Sequence, residues 1–234
     1  MSLLLAQLQN NLDRVEEQIA RACERAGRPR ESVQLLAVTK YVPTSAIGAL
    51  QQLGIRHCGE SRPQQLLQRA VQFPGLRWDL IGQLQRNKVR HVLPFVRLIH
   101  SVDSLRLLER IDQVANELKL RPRVLLEVNV SGEESKQGFT PTQLHEQWPQ
   151  LTELAHVEIS GGMTMAPAVA SETAIRDVFR GLRELCDELQ QRSPQLQLTE
   201  LSMGMSGDFE LAIEEGATLV RLGSVLFEGC DVEE

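Results

Sequence analysis

Lys40 is the residue of this sequence with the clearest chemical potential, because it closely follows a short apolar run. Residues 35–38 read Leu-Leu-Ala-Val, which predicts a buried strand that leads to the lysine. Removing water from an amine lowers its pKa and frees it to attack a carbonyl group. A lysine after one strand is nevertheless more often a solvated charge, so the chemistry depends on what other segments place beside it.

Small polar residues follow two later apolar runs. The sequence reads SMGMSGD at 202–208 and VRLGS at 220–224. Glycine lets the backbone approach a ligand closely, and serine hydroxyls and backbone amides donate hydrogen bonds to phosphate oxygens. We therefore expect Ser206, Gly223 and Ser224 to form a phosphate site, although glycine and serine also occur in ordinary loops.

Arg221 precedes Gly223 by two residues, so the two positions share one face of a strand. A guanidinium inside the fold is costly unless it has a partner, and a ring nitrogen or a carboxylate would supply one. An outward Arg221 would be a surface charge. The sequence leaves both orientations open.

Eight short apolar runs alternate with amphipathic segments, after a first helix that extends from about Leu4 to Ala26. The predicted strands are 34–40, 56–60, 78–84, 98–102, 123–130, 157–163, 198–203 and 218–222. The predicted helices between them are 44–53, 63–72, 87–94, 104–119, 141–154, 171–191 and 207–215. Strict alternation of this kind indicates parallel strands joined by right-handed crossovers.

The pattern predicts an α/β fold, a single (β/α)8 TIM barrel with an extra N-terminal helix, as one domain over residues 1–234. The alternative is an open doubly wound sheet, which would need a glycine-rich turn after its first strand. Here that strand is followed by TKYVP at 39–43, without glycine. In a barrel the functional groups gather at the carboxyl ends of the strands, where Lys40 and both glycine–serine segments fall.

Composition narrows the possible partners. The formal charge is −6 with no basic block, which disfavours nucleic acid. Four scattered cysteines and the spacing of five histidines predict neither a disulfide framework nor a metal site, and they suit a reducing cytoplasm. The N-terminal segment predicts no signal peptide and no membrane span. Without an obvious large apolar stripe, a monomer is expected.

Four stretches together carry a resemblance to a known family. They are AVTK at 37–40, CGESR at 58–62, IGQLQRNK at 81–88 and LSMGMSGDFELAIEEGATLVRLG at 201–223. They resemble the pyridoxal 5′-phosphate (PLP) homeostasis protein family, which is related to the barrel domain of alanine racemase, a fold type III PLP protein. The similarity extends over nearly the whole chain.

The resemblance implies PLP as cofactor and assigns roles to seven residues. Lys40 would form a Schiff base with PLP, Arg221 would face the pyridine nitrogen, and Ser206, Gly223 and Ser224 would hold the phosphate. Met203 and Ser61 would line the site. No catalytic residue and no metal ligand is implied.

Three positions depart from the family pattern. Ser61 stands where asparagine is usual, Cys58 where phenylalanine is usual, and Gln83 where histidine is usual. A serine hydroxyl offers fewer hydrogen bonds than an amide, so a contact in the cofactor site is expected to be weaker or water-mediated.

The residues favour a binding protein over an enzyme. Arginine cannot give a proton to the ring, so a ring facing Arg221 is a poor electron sink. A racemase also needs a second acid or base, and Tyr41 should point away from Lys40 if the strand continues through both. Cys58 is the one cysteine near a strand end.

We therefore expect PLP storage or delivery, with PLP-dependent apo-enzymes as possible recipients. One alternative is an amino-acid racemase or a related enzyme. The other is a barrel that binds a different phosphorylated metabolite.

Overall fold

The computed structural model describes residues 2–133, 136–167 and 169–230. Within them, eight strands alternate with helices. The strands are β1 (Gln34–Val38), β2 (His57–Glu60), β3 (Arg77–Leu80), β4 (Val96–Val102), β5 (Arg123–Glu127), β6 (Glu158–Met163), β7 (Glu200–Ser202) and β8 (Leu219–Leu222). The α-helices are α1 (Leu3–Arg25), α2 (Thr44–Gln52), α3 (Pro63–Gln72), α4 (Val89–Val92), α5 (Leu105–Leu118), α6 (Pro141–Thr152), α7 (Glu172–Arg192) and α8 (Phe209–Glu214). Short 3-10 turns lie at Arg30–Ser32 and Leu93–Phe95.

The eight strands form a closed parallel barrel in which each strand pairs with the next along the chain. Closure is made by β1 and β8, where Ala37 lies opposite Leu222. The predicted (β/α)8 barrel is therefore confirmed, and the open doubly wound sheet is excluded.

The strand ends differ from the prediction at the mouth of the barrel. β1 ends at Val38 instead of residue 40, because the chain turns there and the Val42 amide donates to the Thr39 carbonyl at 3.1 Å. β3 and β5 also end earlier than predicted, at Leu80 and Glu127. Apolar residues beyond these ends pack in the loops, and the sequence pattern does not distinguish that packing from a continuing strand.

The apolar core has two parts. A small cluster inside the barrel is separate from the larger core between the strands and the surrounding helices. The interior cluster consists of Leu36, Leu98, Leu125, Met163 and Leu219. Since strand side chains alternate between faces, these positions identify which residues on each strand face the barrel axis.

Helix α1 supports the segments that follow β7 and β8. The buried Asn11 side chain donates to the carbonyls of Leu226 and Glu228 at 2.9 and 2.8 Å. Farther along the helix, Arg25 pairs with Glu210 and Glu214 of α8. The extra N-terminal helix is thus bound to both α8 and the segment that follows β8.

Two features are absent from residues 2–133, 136–167 and 169–230. No helix there is long and apolar enough to cross a membrane. No group of three or more histidine, cysteine or acidic side chains is gathered so that it could hold a metal ion.

Candidate functional site

Lys40 lies in the turn just beyond β1, at the carboxyl end of the barrel. Its side chain is half-buried, and its Nζ lies 4.8 Å from the centre of the Tyr41 ring. The expectation that Tyr41 points away from Lys40 is therefore wrong, because strand alternation stops at Val38 and the two residues share a turn. Tyr41 itself is 73% exposed.

A buried ion pair fixes the turn that carries Lys40. Arg69 of α3 donates to the carbonyls of Thr39 and Val42 at 2.6 Å each, so it binds the backbone on both sides of the lysine. Arg69 also pairs with Glu60, at the end of β2, which accepts a hydrogen bond from the Thr39 hydroxyl at 2.6 Å. The backbone that bears Lys40 is therefore held by two neighbouring βα units.

The segments after β7 and β8 meet at one hydroxyl group. Ser206 Oγ accepts hydrogen bonds from the backbone amides of Gly223 and Val225, at 3.3 and 3.4 Å. Ser224, between these two amides, is exposed in the same turn. We call this group of donors, from Ser206 and residues 223–225, the amide cradle.

The amide cradle lies beside the end of β1. The barrel register pairs Ala37 with Leu222, which brings the next residues, Val38 and Gly223, side by side. A Cβ atom added to Gly223 would lie 3.4 Å from the Val38 carbonyl oxygen and Cβ. Lys40, two residues beyond Val38, is thus at the same end of the barrel as the cradle.

Arg221 points into the barrel interior, which decides the orientation that the sequence left open. Its Nη1 donates to the Ser202 carbonyl at 2.8 Å and to Ser202 Oγ at 2.6 Å, and its Nη2 donates to the Thr164 carbonyl at 3.0 Å. Burial lowers the Arg221 pKa to about 10, although Asp208 and Glu127 oppose that shift. Arg221 is thus a buried cation whose hydrogen-bond acceptors are neutral groups, while the carboxylates of Asp208 and Glu127 act on it through their charge.

The two predicted lining residues lie in different surroundings. Ser61 follows β2 and is half-buried, and its carbonyl lies so close to Gly82 that a Cβ there would come within 2.2 Å. Met203 is fully buried in the larger core on the helix side of the barrel. The role of Met203 as a lining residue stays a prediction.

Glu127 is a mouth residue that the sequence analysis missed. It ends β5 two residues after Leu125 of the interior cluster, and it lines a cavity of about 250 Å³ together with Asn129, Lys136 and Met165. Burial, and then the charge of Asp103, raise the pKa of Glu127 to about 7. The sequence signal that could have identified it is an acidic residue at a strand end, on the same strand face as the interior residue Leu125.

Fold and site together define a class of protein: a closed parallel barrel with a lysine and an amide cradle at the carboxyl ends of its strands. The chain matches the family described as alanine racemase, N-terminal domain, over residues 10–230, and it belongs to that family. This confirms the family that the four sequence stretches indicated.

Relatives of known name cover nearly the whole chain. A pyridoxal phosphate homeostasis protein of Aquifex aeolicus (strain VF5) is 45% identical over 218 residues, which are 92% of this chain and 95% of the relative. A protein of the same name from Escherichia coli (strain K12) is 36% identical over 229 residues, 95% and 96% of the two chains.

Solved structures of similar fold agree with this family assignment. PipY of Synechococcus elongatus PCC7942, with PLP bound, has a TM-score of 0.81 and 41% identity, and the match covers 91% of this chain and 99% of PipY. Alanine racemase of Clostridium difficile 630 has a TM-score of 0.78 at 16% identity, over 98% of this chain and 59% of the racemase. That second likeness concerns the fold.

Proposed function

We propose that this protein binds PLP covalently through Lys40 and serves PLP homeostasis by storing the cofactor or delivering it. The observation that carries the proposal is the amide cradle, whose Gly223 and Val225 amides converge on Ser206 Oγ next to the end of β1. Converging backbone amides and hydroxyls are donors suited to a phosphate group. The relatives support the cofactor, since they are named for pyridoxal phosphate and PipY has PLP bound.

The residues present fit PLP at both of its ends. Ser206, Gly223 and Ser224 would hold the phosphate, and the Lys40 amine would bond to the aldehyde carbon. Arg221 would face the ring nitrogen, where a buried cation bound to neutral groups gains a further acceptor. Ser61 would contribute at the rim of the site. When bound, PLP supplies an electrophilic aldehyde and an electron-withdrawing ring.

Arg221 favours holding the cofactor over using it. A guanidinium stays protonated near neutral pH, so it keeps a positive charge near the ring nitrogen and opposes protonation there. The racemase mechanism also needs a second acid or base. Burial raises the pKa of Cys58 to about 12, and Tyr41 is largely exposed, so neither is suited to that role.

The open mouth suits transfer of the cofactor to another protein. Lys40 is half-buried beside the exposed Tyr41, and Ser224 is exposed in the cradle. PLP-dependent apo-enzymes in the cytoplasm are the proposed recipients, and a monomer is the proposed donor.

Absorption spectroscopy tests the proposal. Wild-type protein incubated with PLP should show a near-visible band that borohydride removes, leaving a modified Lys40 peptide. Lys40→Ala should lose the band and the modification but keep the fold, because the lysine amine lies over the exposed Tyr41 ring and Arg69 holds the turn through backbone carbonyls. Lys88→Ala is the matched control and should retain both. If the modified peptide carries another lysine, the role of Lys40 is wrong.

Glu127 favours a second candidate, amino-acid racemisation or a related proton transfer. A mouth carboxyl with a pKa of about 7 suits a general acid or base near neutral pH. The test follows α-proton exchange of alanine and serine in D2O with the PLP-loaded protein. Sustained exchange that disappears in both Lys40→Ala and Glu127→Gln would establish this candidate, whereas no exchange leaves the carrier function.

A further inference from the structure

A continuous row of polar side chains crosses the barrel interior. Arg97 Nε donates to Asp79 Oδ1 at 2.7 Å, and Asp79 Oδ2 lies 3.1 Å from His100 Nε2. His100 Nδ1 lies 2.9 Å from Ser202 Oγ, which accepts from Arg221 Nη1 at 2.6 Å. We call Asp79, His100 and Ser202, with the two terminal arginines, the interior row. It joins β3 and β4 to β7 and β8, and Asp79, His100 and Ser202 are fully buried.

The chemistry of each group fixes the direction of the hydrogen bonds. The Asp79 carboxylate can only accept and Arg221 can only donate, so in a neutral ring the N–H of His100 faces Asp79, and Ser202 Oγ accepts from Arg221 and directs its own hydroxyl hydrogen to Nδ1. His100 must then carry its ring proton on Nε2 and donate it to Asp79. Each member of the row is thereby satisfied in one arrangement.

The charges agree with this arrangement. Burial lowers the pKa of His100, and Asp79 only partly opposes that effect, so the ring is neutral. Although burial acts the other way, hydrogen bonds from His100 and Arg97 hold the pKa of Asp79 below its usual range. Arg97 forms the ion pair with the Asp79 carboxylate, so Asp79 does not neutralise Arg221, whose positive charge can act at the mouth of the barrel.

Burying a row of polar and charged side chains in a barrel interior costs desolvation free energy. Leu36, Leu98, Leu125, Met163 and Leu219 fill the interior with apolar side chains. Well-packed apolar residues are often as stable as buried ion pairs or more so, so fold stability alone gives little reason for the polar row. The row holds the Ser202 hydroxyl in place, and this hydroxyl is a fixed acceptor for the Arg221 guanidinium.

We propose that His100 and Asp79 are positioning residues for the cofactor site, which act through Ser202 to fix the Arg221 guanidinium toward the mouth. The inference rests on the proposed PLP function. His100 and Asp79 touch no cofactor in this proposal, and they set the acceptor to which Arg221 is bound.

Nuclear magnetic resonance of ¹⁵N-histidine-labelled, cofactor-free protein tests the row without PLP. Three charged groups bear on the His100 ring: Asp79 from β3, Arg97 from β4 and Arg221 from β8. At neutral pH and above, the His100 signals should show a protonated Nε2 and an unprotonated Nδ1. A protonated Nδ1, or an imidazolium, would overturn the proposed direction of the row.

Paired substitutions test the effect on PLP. His100→Asn keeps an acceptor near the Nδ1 position for Ser202, whereas His100→Gln reaches Asp79 and loses that acceptor. His100→Gln and Ser202→Ala should each weaken PLP affinity about tenfold and shift the absorption of the bound cofactor, and His100→Asn should stay closer to wild type. The double variant that combines His100→Gln with Ser202→Ala should bind PLP no more weakly than either single variant, because both substitutions interrupt the same chain of hydrogen bonds. His156→Gln is the control. His156 lies just before β6, at the opposite end of the barrel from the mouth, and it pairs with Asp112 of α5.

The outcomes separate this inference from the proposed function. If wild-type protein does not bind PLP, the function fails, and the row is then judged by the histidine signals. If wild type binds PLP and the variants match its affinity and absorption, the positioning role is wrong. A lower unfolding midpoint with unchanged affinity and absorption would assign the row to the fold and overturn the role as well.

Discussion

At the scale of single residues, the site depends on two cations in contrasting surroundings. Lys40 is half-buried in a turn at the mouth, within contact of an exposed aromatic ring. Arg221 is buried and bound to Ser202 and to the Thr164 carbonyl. An accessible amine suits reversible bonding to an aldehyde, and a buried guanidinium suits a fixed charge beside the ring nitrogen.

Arg221→Gln should weaken PLP retention about tenfold or more and change the unfolding midpoint little. The substitution loses hydrogen bonds to Ser202 but also removes a buried charge that has no ion-pair partner among the described residues, so the two effects on stability oppose each other. Fluorescence titration and thermal unfolding would measure both quantities. Unchanged PLP affinity would place Arg221 outside the site.

At the scale of elements, the site is made by loops that other elements hold in place. Arg69 of α3 fixes the turn that carries Lys40, and α1 fixes the segments after β7 and β8. Gly204 shows how tightly those segments pack. Its φ is +90°, and an added Cβ would lie 2.6 Å from the Ala212 Cβ of α8.

Asn11→Ala should destabilise the protein by about 2 kcal/mol, because it leaves the carbonyls of Leu226 and Glu228 without their buried donor. PLP affinity should fall as well, since the turn that contains residues 223–228 carries part of the amide cradle. Denaturant unfolding and PLP titration would test this. Asn10→Ala, at an exposed position of the same helix, is the matched control and should change neither.

At the scale of the whole molecule, one mouth carboxyl should make stability depend on pH. The pKa of Glu127 is raised from 4.5 to about 7, chiefly by burial, so the folded state favours its protonated form. The contribution of this group is fully present below pH 4.5 and is lost as the pH rises through about 7.

Glu127→Gln should therefore stabilise the cofactor-free protein increasingly as the pH rises from about 4.5 to about 8, by up to about 3 kcal/mol relative to wild type. Thermal unfolding of both proteins across this range measures the difference. Glu133→Gln is the contrasting control, because the hydrogen bond with Lys136 lowers the pKa of Glu133, so its substitution should change the pH dependence in the opposite direction. A difference that does not change with pH would mean that the Glu127 carboxyl is solvated.

How much the sequence predicts follows from the range of the interactions involved. Runs such as 35–38 and the alternation of strands with helices depend on local patterns, and they led correctly to the barrel and to the end of it where Lys40 lies. The four stretches led correctly to the family. The roles of Lys40, Ser61, Met203, Ser206, Arg221, Gly223 and Ser224 toward PLP stay predictions.

The tertiary structure alone decided what depends on distant partners. The inward orientation of Arg221, the hydrogen bond from Arg69 to the Thr39 carbonyl and the His100–Ser202 contact each join residues of different elements. No periodicity encodes those contacts, because they arise only when the strands and helices are assembled around the barrel. Local order in a sequence fixes elements and their alternation, whereas burial and hydrogen-bond partners are properties of the closed barrel.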